Sequence, residues 1–237
     1  MTVVTLVQCE MNLHVDIGVC FVFLFVASQA NETGSSNAME LKGAKRSFNF
    51  LKNVGLSVST FISDRHRGIA KWIKQLQLHT SHFFDIWHVA RSINKKLLKA
   101  SQEKGCERIK EWMMGIRNHL YWCVTSIVNG FENLILAKWK SFMGHVSNKH
   151  KDHPDSLFKE CAHDEISPRK WIKIGTVAHD KLSSILSSKQ LLNDIKKLSP
   201  DTQTSCLEGF HATLIHWHPK MIHFSWLGTF CRRVVFV

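Results

Sequence analysis

Apolar residues change their spacing along this chain, and each change predicts a different kind of element. At the start they come in continuous runs. Thr2 to Val7 and Val19 to Ala27 have the Val- and Phe-rich composition of strands, with Met11 to Asp16 as a more polar link between them. Asn31 to Ser36 reads as a loop. From Asn37 the period becomes helical: Asn37 is placed to cap the helix, with Glu40 in capping-box position, Leu41, Ala44, Phe48 and Leu51 as the apolar stripe, and Gly55 as the stop. Leu56 to Ile62 alternates around Ser57 and Ser59 as a strand. Asp64 then opens a second helix with Ile69, Trp72, Ile73 and Leu76 on one face. His82 to Phe84 is a short aromatic strand ending at Asp85, and Ile86, Val89, Ile93 and Leu97 form the stripe of the next helix.

From Cys106 to Ser199 helical periodicity dominates, as in Leu191, Leu192, Ile195 and Leu198, with Trp112, Trp122, Trp139 and Trp171 spread through it. Ser147 to Lys170 is polar and reads as loop, and a last helix spans about Cys206 to His216. Strands with intervening helices, then a helical block, then one more helix describe an α/β core interrupted by a mostly helical insertion. The expected divisions are 1–104 for the core, 105–200 for the insertion, and 201–237 for a final core helix and tail.

Composition narrows the function. With 44% hydrophobic and 21% charged residues the chain is globular rather than disordered. Lys plus Arg number 31 against 19 Asp plus Glu, a net +12 that points to a polyanionic partner, nucleic acid first. Seven Cys without a C-x-x-C pair are no disulfide framework, which favours a reducing compartment. Ile17 to Val26 leaves two readings open. One is a buried strand; the other is the apolar core of a signal peptide ending near Ser28 and Ala30, and with it a secreted protein. The segment before it carries Glu10 and Asp16 and no Lys or Arg, against the signal-peptide pattern, and the run is short for a membrane span.

Three acidic residues are candidates for chemistry. Asp64 and Asp85 each follow a predicted strand and precede a helix, and Glu208 lies in the first turn of the last helix. Carboxylates so placed can hold two Mg²⁺ ions about 4 Å apart for in-line phosphodiester attack. From spacing alone each is better explained as a helix cap: Asp64 and Asp85 as N-caps, and Ser205 to Glu208 as a capping box.

Ordered blocks add a resemblance. Asp64-Arg65-His66, Phe84-Asp85-Ile86-Trp87-His88 followed by Lys95-Lys96-Leu97, and Leu207-Glu208-Gly209-Phe210-His211 resemble the T-D-R-H, D-V-W-H and L-E-x-F-H blocks of a eukaryotic DNA transposase-like family of Kolobok type. Asn118 to Trp122, Lys138-Trp139, Leu191 to Asp194, and Asn31 to Ser36 with Met39-Glu40 resemble it too, so the likeness runs from about Asn31 to Arg232. It implies an RNase H-like fold with a D-D-E metal triad, a helical insertion before the Glu, a nuclear location and DNA as partner. Asp64 then matches the acidic residue after the fourth core strand, Asp85 a position beside it, and Glu208 the last member. The first triad Asp, expected on the central first strand in a segment rich in Gly, Asp and Pro, has no match here. The resemblance therefore implies a transposon-derived core that has lost part of its active site, with Mg²⁺ held weakly if at all.

Within the insertion, His145-x4-His150 and Cys161-x-His163 fall inside nineteen residues, with His153 between them. Three imidazoles and one thiolate suit Zn²⁺ in a structural site. The resembled family has a similar placement. A solvated His-rich loop is the other reading. Basic residues gather on two predicted helices, Arg65, Arg67, Lys71 and Lys74 on one and Arg91, Lys95, Lys96 and Lys99 on the next. They suit phosphate contacts without sequence readout, and no DNA-reading motif accompanies them. Trp72 and Trp87 share the apolar faces and read as core rather than stacking platforms.

Three functional readings stand at this point: a DNA-binding, catalytically inactive transposase core; a non-catalytic nuclear interaction protein on the same fold, with homo-oligomers open to it; and an active Mg²⁺ nuclease with Glu10 or Asp16 replacing the missing carboxylate. None of them calls for a membrane.

Overall fold

The structure, a computed structural model, describes residues 2–13, 16–27, 34–76, 79–127, 131–164 and 166–199, with Thr213 and His216. The chain is mixed α/β and mostly helical. It divides into two units, the first reaching Phe83 and the second spanning Phe84–Thr202.

The first unit holds the sheet. β1 (Thr2–Leu13) and β2 (Asp16–Ala27) pair antiparallel along their whole length, from Thr2 opposite Ala27 to Leu13 opposite Asp16. Only two residues separate them in sequence, which dictates an antiparallel hairpin. The polar link expected at Met11 to Asp16 is therefore mostly strand. β3 (Ser57–Ser63) pairs antiparallel with β1, from Leu6 opposite Ile62 to Glu10 opposite Ser57, with a register shift between Gln8 and Cys9. α2 (Arg67–Leu76) then crosses to β4 (Ser81–Phe84), parallel to β3, and the order is β2-β1-β3-β4. The Val19–Ala27 segment is thus a strand, as its composition predicts, but its neighbour is β1 rather than β3. Among the described residues no helix is long and apolar enough to cross a membrane.

α1 (Ser36–Asn53) buries Ala44, Phe48 and Leu51 against Phe61 of β3 and Ile69 and Ile73 of α2. Phe48 meets Phe61 at 5.1 Å and the edge of Trp72 at 4.9 Å between ring centroids. Leu76, expected on this face, is exposed because α2 ends there, past the cluster. The caps differ from expectation at both helix starts. Ser35, not Asn37, caps α1 by accepting from the Ala38 N–H at 3.2 Å. His66, not Asp64, caps α2: its Nδ1 accepts from the Ile69 N–H at 3.0 Å, and its carbonyl accepts from the Ala70 N–H. The stop of α1 is as read. Gly55 at φ +81° lets its own N–H reach the Lys52 carbonyl and that of Leu56 reach the Leu51 carbonyl, a Schellman closure.

The second unit is a helical block: α3 (Ile86–Ala100), α4 (Ile109–Thr125), α5 (Glu132–His145), α6 (Val177–Leu186) and α7 (Lys189–Ile195). The division falls at Phe84 and not near 105, so α3 belongs with these helices. Its stripe of Ile86, Val89, Ile93 and Leu97 explains why, since it buries into one cluster with Ile116 and Leu120 of α4 and Leu182 of α6. Two of the four tryptophans are structural in a double sense. Trp112 and Trp139 bury their rings while their Nε1–H groups donate to the carbonyls of Lys170 and Leu186 at 3.1 and 3.0 Å.

His119 is packed beside Phe142, and with its proton on Nε2 it donates to the Lys138 carbonyl at 2.8 Å. Burial is the main reason its pKa falls to about 4. The folded chain thus takes up this proton near pH 4, whereas the unfolded chain takes it up near 6.5. Its contribution to stability is complete above pH 6.5 and is lost as pH falls towards 4. Urea unfolding between those limits should show falling stability, and His119→Gln should make that slope shallower; an unchanged slope would discard the assignment.

Candidate metal centre

His145 is the last residue of α5, where the negative end of the helix dipole favours a cation. The chain then turns back on itself. Asn148 sits at φ +63°, its N–H donates to the His145 carbonyl, and the Lys149 N–H donates to the Gly144 carbonyl at 2.9 Å. This is the same closure that ends α1, with Asn in the left-handed position that Gly55 holds there. It brings His150 back beside His145, their ring centroids 5.0 Å apart. The second pair returns by a backbone bond, the Cys161 N–H donating to the His150 carbonyl at 2.8 Å.

One ligand atom from each of His145, His150, Cys161 and His163 lies within 4.8 Å of all the others, which makes them a group that fits a metal ion. His163 Nε2 is 3.2 Å from His145 Nδ1, and Cys161 Sγ is 3.7 Å from that same nitrogen. Tetrahedral bonds of about 2.05 Å to nitrogen and about 2.3 Å to sulfur would set neighbouring ligand atoms about 3.3 Å (N to N) and about 3.6 Å (N to S) apart. These two edges are therefore already at coordination distance. With all four atoms within 4.8 Å of one another, no edge needs more than about 1.5 Å of closure.

Outer contacts decide which nitrogens face inward. His163 Nδ1 is 2.8 Å from the Asp164 carbonyl, a contact that holds the proton there and leaves the Nε2 lone pair towards His145. His150 Nε2 lies 3.1 Å from the Asn148 side-chain oxygen, while its Nδ1 is buried with no hydrogen-bond partner. A buried nitrogen lone pair without a donor is costly, and a cation would satisfy it. Electrostatics agree. Burial, then the rings of His150 and His163, push the His145 pKa to about 4, and burial also lowers His150 and raises the Cys161 thiol. The His145 and His150 imidazoles are thus held neutral with lone pairs available. The thiol needs a cation beside it to ionise.

Aromatic rings wall the group. Phe142 stacks on His145, and the edges of Trp112 and Trp171 approach it at 5.9 and 6.1 Å. His153, which lay between the two pairs in sequence, is buried and sets its Nε2 3.3 Å from Cys161 Sγ. Spacing alone gave it no part; its midway position was the only signal.

Of the acidic candidates, Asp64 belongs to the first unit and Asp85 to the second. Asp64 is exposed in the turn after β3, where its carbonyl accepts from the His66 N–H and the Ser63 hydroxyl. Asp85 opens the second unit, buried, as the N-cap of α3: its Oδ1 accepts from the Trp87 N–H at 2.9 Å, and its Oδ2 is 3.7 Å from His88 Nε2. The capping reading thus holds for Asp85. Glu208, with the rest of the last predicted helix apart from Thr213 and His216, lies outside the described residues.

Strand register removes Glu10 and Asp16 as substitutes beside Asp64. Glu10 stands opposite Ser57, at the start of β3, while Asp64 follows its far end at Ser63. At about 3.3 Å per residue the two lie about 20 Å apart along the strand. Asp16 pairs with Leu13, farther away still.

The basic candidates are mostly at the surface: Arg67 and Lys71 on α2, and Arg91, Lys95 and Lys96 on α3, are exposed, while Arg65 is half-buried. Trp87 is half-buried and carries the Arg91 guanidinium 4.9 Å above its ring, so it is a platform rather than the core residue expected.

No family model matches the sequence, and neither a curated protein nor a solved structure matches it.

Titrated with Zn²⁺, the chain should bind one ion at this centre. Cys161→Ser or His145→Ala should weaken that binding by more than about 100-fold, and a chelator should lower the melting temperature of the wild type alone. Equal binding by all three proteins would dismiss the centre.

Proposed function

We propose that this chain is a transposase-derived, DNA-binding core of RNase H-like ancestry, without strand-cleaving activity, whose helical insertion is held by one structural Zn²⁺. The observation that carries the reading is the direct pairing of β1 with β3. The resembled fold keeps a central strand between these two, and that strand bears the first metal-binding Asp. Here, among the described residues, the backbones that would flank it hydrogen-bond to each other and leave no gap for such a strand, which supports the loss of its carboxylate. A bridging carboxylate fixes the separation of two metal ions, and without it the in-line geometry of phosphoryl transfer is lost. Asp85 is in any case engaged as a helix cap.

The ligand chemistry supports Zn²⁺ in the insertion. Three imidazoles and a thiolate are borderline-soft donors, whereas Mg²⁺ takes oxygen ligands and keeps several waters. Four protein ligands leave no open position for substrate, which makes the ion's role structural. The net charge of +12 and the exposed cations of α2 and α3 support DNA as the partner, met through phosphate oxygens. A nuclear location follows from that reading.

Affinity for duplex DNA should fall steeply with salt and be equal for random sequences. Replacing Arg91, Lys95 and Lys96 together with Gln should flatten the slope of log affinity against log salt by about 2 to 3. An unchanged slope, or a strong preference for one sequence at high salt, would refute the electrostatic mode. Plasmid incubated with the chain and Mg²⁺ or Mn²⁺ should stay supercoiled. Nicking that Asp64→Asn abolishes would show the active site to be intact.

A further inference from the structure

His153 is buried to 4% exposure in an otherwise polar loop, and its position is fixed from four sides. Its ring lies nearly parallel to Phe158, at 7° and 5.9 Å. Its backbone N–H donates to the Lys159 carbonyl at 2.9 Å. Pro154 follows it and holds its backbone away from the helical region. On the remaining side is Gly144 of α5, where a Cβ would come within 3.1 Å of the ring Nδ1 and 3.2 Å of its Cε1. A ring clamped in this way can turn only one edge to the metal centre, and the atom on that edge is Nε2, 3.3 Å from Cys161 Sγ.

We propose that His153 is a positioning residue of the metal centre: its Nε2–H donates to the Cys161 sulfur and holds the thiolate aimed at the ion. The inference rests on the zinc reading above. A thiolate bound to a metal keeps lone pairs that seek donors, and hydrogen bonds to such ligands both orient them and tune the charge they share with the metal. Partial burial of Cys161 makes that donor more valuable, because fewer waters reach the sulfur than at the surface. His153 remains outside the ligand set of three imidazoles and one thiolate.

The test uses the full chain with Co²⁺ as a spectroscopic stand-in for Zn²⁺. The wild type should take up one ion and show the visible bands of tetrahedral coordination together with a sulfur-to-cobalt charge-transfer band. His153→Phe fills the same space without a donor. It should keep one ion and the tetrahedral bands, lose about 10- to 100-fold in affinity, and move the charge-transfer band to longer wavelength, because nothing then lowers the sulfur lone pair. His153→Gln restores an N–H donor and should recover most of the affinity and the band position. Phe-variant affinity and band equal to wild type would overturn the proposal, as would equal losses in the Phe and Gln variants. Loss of the tetrahedral bands in the Phe variant would overturn it differently, by making His153 a ligand. A wild type that takes up no Co²⁺ would remove the zinc reading itself, and this inference with it.

Discussion

Nitrogen and sulfur lone pairs that converge repel one another unless a proton or a cation lies between them. Around His145 that condition is acute. Its Nδ1 faces both His163 Nε2 and Cys161 Sγ, and the buried His150 Nδ1 has no partner. Burial makes protons an unfavourable remedy, since it lowers the pKa of His145 and of His150. The loop from Ser147 to Lys170 depends on this point. Its described residues contribute no side chain to the buried apolar core, and its course is set by the Asn148 reversal, the bond from Cys161 to His150, and whatever joins the four ligands.

The first unit meets a constraint of another kind. A sheet keeps its backbone satisfied by pairing every interior strand on both sides, so β1 cannot bond both to β3 and to a strand between them. Its pairing with β2 on one edge and β3 on the other uses both edges. On the proposed reading this closes the place of the catalytic strand, and the surface cations remain as what the fold offers to DNA. Charge attached to a stable scaffold can outlast chemistry, because phosphate contacts tolerate small errors in position that two-metal catalysis does not.

Some of the molecule was legible in the residues. The stripes of α1, α2 and α3, the strand at Ser57–Ser63, the stop at Gly55 and the pairing of H-x4-H with C-x-H all follow from spacing, because helical period, turn conformation and ligand type are local properties. Net charge was equally plain. What stayed hidden depends on residues far apart in sequence. Asn37 and Ser35 are both good caps, and only the path of the chain into α1 chose Ser35. Asp64 and Asp85 look alike in sequence, yet Asp85 caps its helix while His66 caps the helix after Asp64.

The sequence by itself determined most of the described elements, the excess of positive charge and the four ligand types, since each is written within a few residues. Tertiary structure alone decided that β1 and not β2 lies beside β3, because register and order are chosen by pairing between strands tens of residues apart. It alone placed Glu10 opposite Ser57, at the end of β3 away from Asp64. It alone turned His153 from one histidine among fifteen into a buried neighbour of the Cys161 sulfur, since that contact needs Gly144, Phe158 and the reversal at Asn148 together.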